Sequence, residues 1–181
     1  METVNITINN IPLEVPKSTT ILQAARMINI EIPTLCHMKL EDFCIENKPA
    51  GCRICMVDVK GRRNLVPSCV TECTEGMVIE TNNPRIINAR RTVLELILSD
   101  HPFECLICPK NGKCDLQSLA QELGVREIRY TGEQSTYRMD TSQAIIRNPD
   151  KCIMCRRCEL MCNTVQTCGV LSAVNRGFMS V

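Results

Sequence analysis

The chain has 181 residues, a formal net charge of +1, 44% hydrophobic residues and 23% charged ones. That balance excludes a disordered tail and offers no basic surface for nucleic acid or an anionic membrane. Aromatics make up 3% and cysteine supplies 14 residues, so aliphatic side chains must build the core while something else holds small lobes together.

The first residues, METVNITINN, have neither a basic start nor an apolar stretch, so they are not a secretory signal. No apolar run is long enough to span a bilayer. The expected compartment is the cytoplasm, where thiols stay reduced and grouped cysteines bind metal rather than form disulfides.

Residues 1–80 read as one unit. Val4, Ile6 and Ile8 alternate, Asn9-Asn10 turns, and Leu13 and Val15 alternate again, which predicts a hairpin. Ser18 or Thr19 is positioned to cap a helix with Ile21, Leu22, Ala25 and Ile28 on one face. Short strands are expected at Met56–Val59, Asn64–Pro67 and Met77–Glu80. Strands around one helix suggest an α+β roll of the β-grasp type.

Residues 81–140 differ. Pro84 starts a helix with Ile86, Ile87, Val93, Leu94, Ile97 and Leu98 as its apolar positions, ending at Ser99-Asp100-His101-Pro102. A second helix runs from Leu116 to Leu123 and stops at Gly124, before a polar connection. In residues 141–181, Ala144-Ile145-Ile146 is a candidate strand, and Asn163 to Val181 has room for a helix end and one more strand.

Three cysteine groups punctuate these units. Cys152, Cys155, Cys158 and Cys162 follow C-x2-C-x2-C-x3-C, the bacterial ferredoxin run for a [4Fe–4S] cluster, whose fourth cysteine normally serves another cluster. Zinc sites instead pair two C-x2-C units or add histidines. The first group holds Cys36, Cys44, Cys52, Cys55, Cys69 and Cys73. Cys52, Cys55, Cys69 and Cys73 come close to a four-cysteine zinc spacing, whereas Cys36, Cys52, Cys55 and Cys69 look like a [2Fe–2S] ferredoxin set. In the middle group, "HPFECLICPKNGKC", Cys105, Cys108 and Cys114 need a fourth ligand, and His101 stands four residues before the first of them. A neutral imidazole in place of a thiolate makes a cluster easier to reduce. Arg53, Lys110, Lys113, Arg156 and Arg157 lie inside the groups, where cations stabilise an anionic reduced cluster.

Taken in order, "IPTLC…GCRICMVDV…VPSC", "HPFECLICPKNGKCDLQ" and "KCIMCRRCELMC" resemble the electron-transfer module at the N-terminus of iron-only hydrogenases. The same module occurs in the large iron–sulfur subunit of NADH dehydrogenase and in the diaphorase small subunit of NAD-linked nickel hydrogenases. "HPFECLICPKNGKCDLQSLAQELGV" and "NRGF" look closest to the NAD(P)-linked, electron-bifurcating iron-only hydrogenases. The resemblance implies a β-grasp [2Fe–2S] domain in residues 1–80, a small helical His/Cys [4Fe–4S] domain in 81–140 and a partial bacterial ferredoxin-like [4Fe–4S] domain in 141–181. It implies a [2Fe–2S] cluster on Cys36, Cys52, Cys55 and Cys69, and a [4Fe–4S] cluster on His101, Cys105, Cys108 and Cys114. A third cluster falls on Cys152, Cys155 and Cys158, with Cys162 reaching a fourth.

The implied partners are a flavin- and NAD(P)-binding iron–sulfur subunit carrying the FMN and NAD(P), a thioredoxin-like [2Fe–2S] subunit and a hydrogen-activating domain or subunit. Soluble ferredoxin is a further candidate. The reading is an electron wire in an oxidoreductase, with no catalytic site of its own: there is no Gly-rich phosphate loop and no nucleophile–base pair. The same wire in a nickel hydrogenase diaphorase, NADH dehydrogenase or formate dehydrogenase complex is the alternative; a zinc-stabilised interaction module is the alternative of another class. Two departures matter. Cys44 lies in a lengthened Cys36–Cys52 gap and competes as a ligand, and no second ferredoxin run follows Cys162, so a longer subunit is expected. Cys44, Cys73 and Cys168 have no assigned role.

Overall fold

The computed structural model describes residues 2–180 apart from 41, 42, 44, 46, 48, 134–136, 176, 178 and 179. Strands β1 (Thr3–Ile8) and β2 (Ile11–Pro16) pair antiparallel, with Ile8 opposite Ile11. Asn9 and Asn10 join them at φ 48° and 68°, the left-handed region that a two-residue hairpin turn requires at both positions and that asparagine tolerates. Val4, Ile6 and Ile8 alternate inward as expected.

Helix α1 (Ile21–Met27) starts one or two residues later than the sequence suggested. Thr20 is the N-cap: its hydroxyl accepts from the Gln23 N–H while the Gln23 side chain accepts from the Thr20 N–H, so both members of a capping box are present. Ser18 and Thr19 lie too early for that reciprocity, because Gln23 is three residues after Thr20. Ile21, Leu22, Ala24 and Ala25 are the buried helix positions, and Ile28 is the C-cap.

Strands β3 (Met56–Val59), β4 (Val66–Pro67) and β5 (Met77–Glu80) complete a sheet of order β2-β1-β5-β3-β4. The central β1/β5 pair is parallel and the other pairs are antiparallel. The inward residues of the sheet and the buried positions of α1 form one cluster, which includes Val4, Ile6, Ile8, Val57 and Ile79. Each such aliphatic contributes roughly 1.5–3 kcal/mol by leaving water.

Helix α2 (Pro84–Ser99) has Ile86 and Leu94 buried. The chain divides into two compact units, Met1–Arg91 and Thr92–Val181, the boundary falling within α2. The second unit contains α3 (Asp115–Glu122), a two-stranded ribbon of β6 (Asp140–Thr141) and β7 (Ile146–Arg147), and α4 (Arg157–Leu160), which runs on into a π-helical turn at Met161–Val165. Gly124 ends α3 at φ 65°. The connection from α3 passes so close to the end of α2 that a Cβ on Gly132 would run into the Ser99 carbonyl. Glu95 and Arg129 form a two-bond ion pair at 2.8 and 2.9 Å.

Among the described residues after Val165 there is no strand, contrary to expectation. The Cys168 N–H instead bonds the Cys162 carbonyl at 3.0 Å, with Thr167 and Gly169 left-handed, so the chain folds back on the helix end. Among the described residues of the second unit, the buried hydrophobic side chains are Leu94, Leu116, Leu119, Leu123 and Cys162. So small a core needs metal or another staple to be stable.

Candidate metal centres

The first thiol group is assembled by backbone hydrogen bonds. The segment after β4 closes over the start of α1: Leu22 N–H donates to the Ser68 carbonyl at 3.0 Å, and Ile21 N–H to that of Thr71 at 2.9 Å. These are orphan donors that every helix start must satisfy. Ser68 N–H in turn donates to the Cys55 carbonyl at 3.1 Å, which holds Cys69 beside Cys55. On the other side, Ala50 and Arg53 take φ 45° and 60°, curling the loop so that the Cys52 N–H reaches Cys36 Sγ at 3.5 Å.

The thiols therefore meet in two pairs. The Cys36 thiol donates to Cys52, which lowers Cys52 to about 5 and raises Cys36 well above the usual thiol value. Cys69 likewise donates to Cys55, lowering it to about 7 and raising Cys69. Burial works against both thiolates, yet the hydrogen bonds win. Cys73 is different: burial pushes it up to about 11, and it sits in the hydrophobic cluster. Cys44 lies outside the described residues.

The second group lines one cavity. His101, Cys105, Cys108 and Cys114 face it together with Glu104, Lys110, Gln117 and Lys151. Cys105 opens a single 3-10 turn, Cys105–Ile107, and Cys114 is the N-cap of α3. The Asn111 side chain accepts from Gln117 at 3.0 Å, and Gln117 accepts from the Gly112 N–H at 3.0 Å, which closes the loop between Cys108 and Cys114. Burial, and then the Lys151 charge, lower the His101 pKa and so favour its neutral form. Its Nδ1 is buried without a hydrogen-bond partner among the described residues. A buried orphan nitrogen, on a residue that lines one cavity with three cysteines, fits a bound group better than an empty loop, because leaving it unpaired costs about 1–3 kcal/mol.

The third group winds tightly. Met154 and Arg156 are left-handed at φ 52° and 56°, and the Met154 N–H reaches Cys152 Sγ at 3.4 Å. Cys152 and Cys158 are exposed, Cys155 is half-buried, and Cys162 is buried in the π-helical turn. Arg157 bonds Asp115 at 3.2 Å, joining the residue before Cys158 to the residue after Cys114. Among the described residues, no three His, Cys, Asp or Glu side chains close on one point as for a single metal ion. A cluster is wider than one ion and holds its thiolates apart, and thiols gathered in pairs and around a cavity fit such a donor set.

Arg90, Ser68 and Lys151 were not legible as site residues. Arg90 reaches back 36 residues along the sequence to bond the Ile54 carbonyl, Ser68 has an ordinary strand-end sequence position, and Lys151 joins the His101 cavity from beyond the polar connection. Lys151 immediately precedes Cys152, a signal that was available.

Comparison with known proteins finds two iron–sulfur families along the chain. The 2Fe-2S iron-sulfur cluster binding domain family matches residues 1–84, and the NADH-ubiquinone oxidoreductase-G iron-sulfur binding region matches residues 90–129. NADP-reducing hydrogenase subunit HndD of Solidesulfovibrio fructosivorans is 60% identical over the whole chain, which covers 31% of that protein. A G-type NADH-quinone oxidoreductase subunit of Rhizobium meliloti is 37% identical over 96% of the chain and 20% of its own length. The chain thus spans about a third or less of these curated relatives. The crystal structure of an NAD+-reducing [NiFe]-hydrogenase in the H2-reduced state superposes with a TM-score of 0.85 at 26% identity, covering 98% of this chain and 73% of that one.

Fold and matches together define a mixed α/β iron–sulfur protein with 2Fe-2S and 4Fe-4S binding regions. More narrowly, the chain is similar over nearly its whole length to subunits named for an NADP-reducing hydrogenase and an NADH-quinone oxidoreductase, and to a chain of an NAD+-reducing [NiFe]-hydrogenase.

Proposed function

We propose that this chain conducts single electrons, through three cluster sites, between a flavin- and NAD(P)-binding subunit and a hydrogen-activating site. The proposed complex is an NAD(P)-linked iron-only hydrogenase of the electron-bifurcating kind that the sequence resemblance implies. The observation that carries it is the His101 cavity: three thiols and an imidazole whose buried nitrogen has no partner among the described residues, in a chain 60% identical to a subunit named for NADP reduction and hydrogenase activity.

In this reading Cys36, Cys52, Cys55 and Cys69 hold a [2Fe–2S] cluster, and His101, Cys105, Cys108 and Cys114 hold a [4Fe–4S] cluster. Cys152, Cys155 and Cys158 hold a third, with Cys162 turned to it or to a further one. The clusters supply reversible one-electron storage when bound. The chain's own residues fix spacing and charge: neutral His101 lowers the negative charge of its site, and Lys110 and Lys151 add positive charge around it. The finer organisation is a β-grasp domain at 1–80, supported by one helix on a sheet with a parallel central pair. A helical domain at 81–140 and a partial ferredoxin-like domain at 141–181 follow. FMN and NAD(P) would sit on partner subunits, a thioredoxin-like [2Fe–2S] subunit and soluble ferredoxin are further partners, and the complex would work in the cytoplasm. No helix among the described residues is long and apolar enough to cross a membrane.

The test is EPR of the full-length protein, purified without oxygen and reduced with dithionite. Both [2Fe–2S] and [4Fe–4S] signals are expected. A protein silent for both would overturn the proposal.

A further inference from the structure

Ser68 is fully buried, at 0% exposure, and its hydroxyl makes no hydrogen bond within the described residues. Its backbone is held at both ends: its N–H donates to the Cys55 carbonyl at 3.1 Å, and its carbonyl accepts from Leu22 at 3.0 Å. The hydroxyl therefore cannot leave for solvent without undoing the start of α1. It precedes Cys69, and the backbone bond from its own N–H sets it beside Cys55. A buried hydroxyl without a partner is unfavourable, and folds remove such groups unless something satisfies them. A thiol is a weak acceptor, but an iron-bound thiolate is anionic and strong.

We propose that Ser68 is a positioning residue of the first cluster site: its hydroxyl donates a hydrogen bond to the Cys55 thiolate once that site is filled. The inference rests on the [2Fe–2S] reading given above. A donor to a ligating sulfur spreads the cluster's negative charge, and reduction adds one more negative charge, so the bond favours the reduced form and raises the reduction potential. Arg90 holds the same loop through the Ile54 and Met56 carbonyls, and Ser68 adds a buried side-chain hydroxyl to it.

The experiment is an EPR-monitored redox titration of the full-length, anaerobically purified protein with Ser68→Ala and Ser68→Thr. Ser68→Ala should shift the [2Fe–2S] midpoint downward and leave the [4Fe–4S] midpoints in place, while Ser68→Thr, which keeps the donor, should stay near the parent value. An unchanged [2Fe–2S] midpoint in Ser68→Ala overturns the inference. So does an equal fall in both variants, or loss of the cluster from both, since Ser68 then serves packing. Absence of a [2Fe–2S] signal from the parent protein would instead overturn the cluster reading itself, and this inference with it.

Discussion

The Arg90 guanidinium, in α2, donates from Nε to the Ile54 carbonyl at 3.1 Å and from Nη2 to the Met56 carbonyl at 2.9 Å, so that one buried cation grips the chain on both sides of Cys55. Helix and cysteine loop are thereby locked together through backbone carbonyls. Replacing Arg90 with Met strands two of them. We expect a loss of about 3 kcal/mol in urea unfolding, since bonds to a charged donor are worth about 1.5–3 kcal/mol and stranded groups add to that. Against a typical total of about 5–15 kcal/mol this is large. Arg90→Lys, which reaches one carbonyl at most, should lose less than Arg90→Met; equal stability of the parent and Arg90→Met would contradict the account.

His101→Cys should keep a cluster in the second site and lower its midpoint potential, because a charged ligand replaces a neutral one. His101→Ala should lose that cluster. Redox titration with EPR detection measures both, and unchanged midpoints throughout in His101→Cys would remove His101 from the ligand set.

Cys36 and Cys73 separate the two readings of the first group. Cys36 is hydrogen-bonded to Cys52, whereas Cys73 is pushed up by burial in the hydrophobic cluster. Cys36→Ser should abolish the [2Fe–2S] spectrum, and Cys73→Ala should retain it at a stability cost of about 1 kcal/mol. The reverse pattern would favour the zinc spacing. Cys44→Ser belongs in the same series and is expected to retain the spectrum.

At the start of α1, Thr20→Ala should cost about 1 kcal/mol by removing the cap. Ser18→Ala, at an exposed position outside the box, should stay within about 0.5 kcal/mol of the parent. Thermal unfolding of the pair distinguishes them, and equal effects would place the cap elsewhere.

Local physics explains which features could be read in advance. The hairpin was legible because alternation and Asn9-Asn10 both report short-range geometry, and α2 because Pro84 and Pro102 bracket its apolar positions. The α1 cap was missed by a residue or two because Ser18, Thr19 and Thr20 are all competent caps; only the Gln23 partner, three residues after Thr20, singles one out. The thiol groups were visible as spacings, since loops that wrap a cluster need short intervals between cysteines. Ser68 and Arg90 were not visible, because their meaning comes from segments brought together by the sheet and helices. The expected last strand is absent from the described residues, where Cys168 turns back on Cys162, a contact that apolar content does not report.

The central claim is that the cysteine groups hold iron–sulfur clusters rather than zinc, and metal analysis of the anaerobically purified full-length protein tests it most directly. The account predicts brown protein with at least about six irons per chain from the first two sites, about ten where the third site is also filled, matching acid-labile sulfide and almost no zinc. Colourless protein with stoichiometric zinc and no sulfide would contradict it.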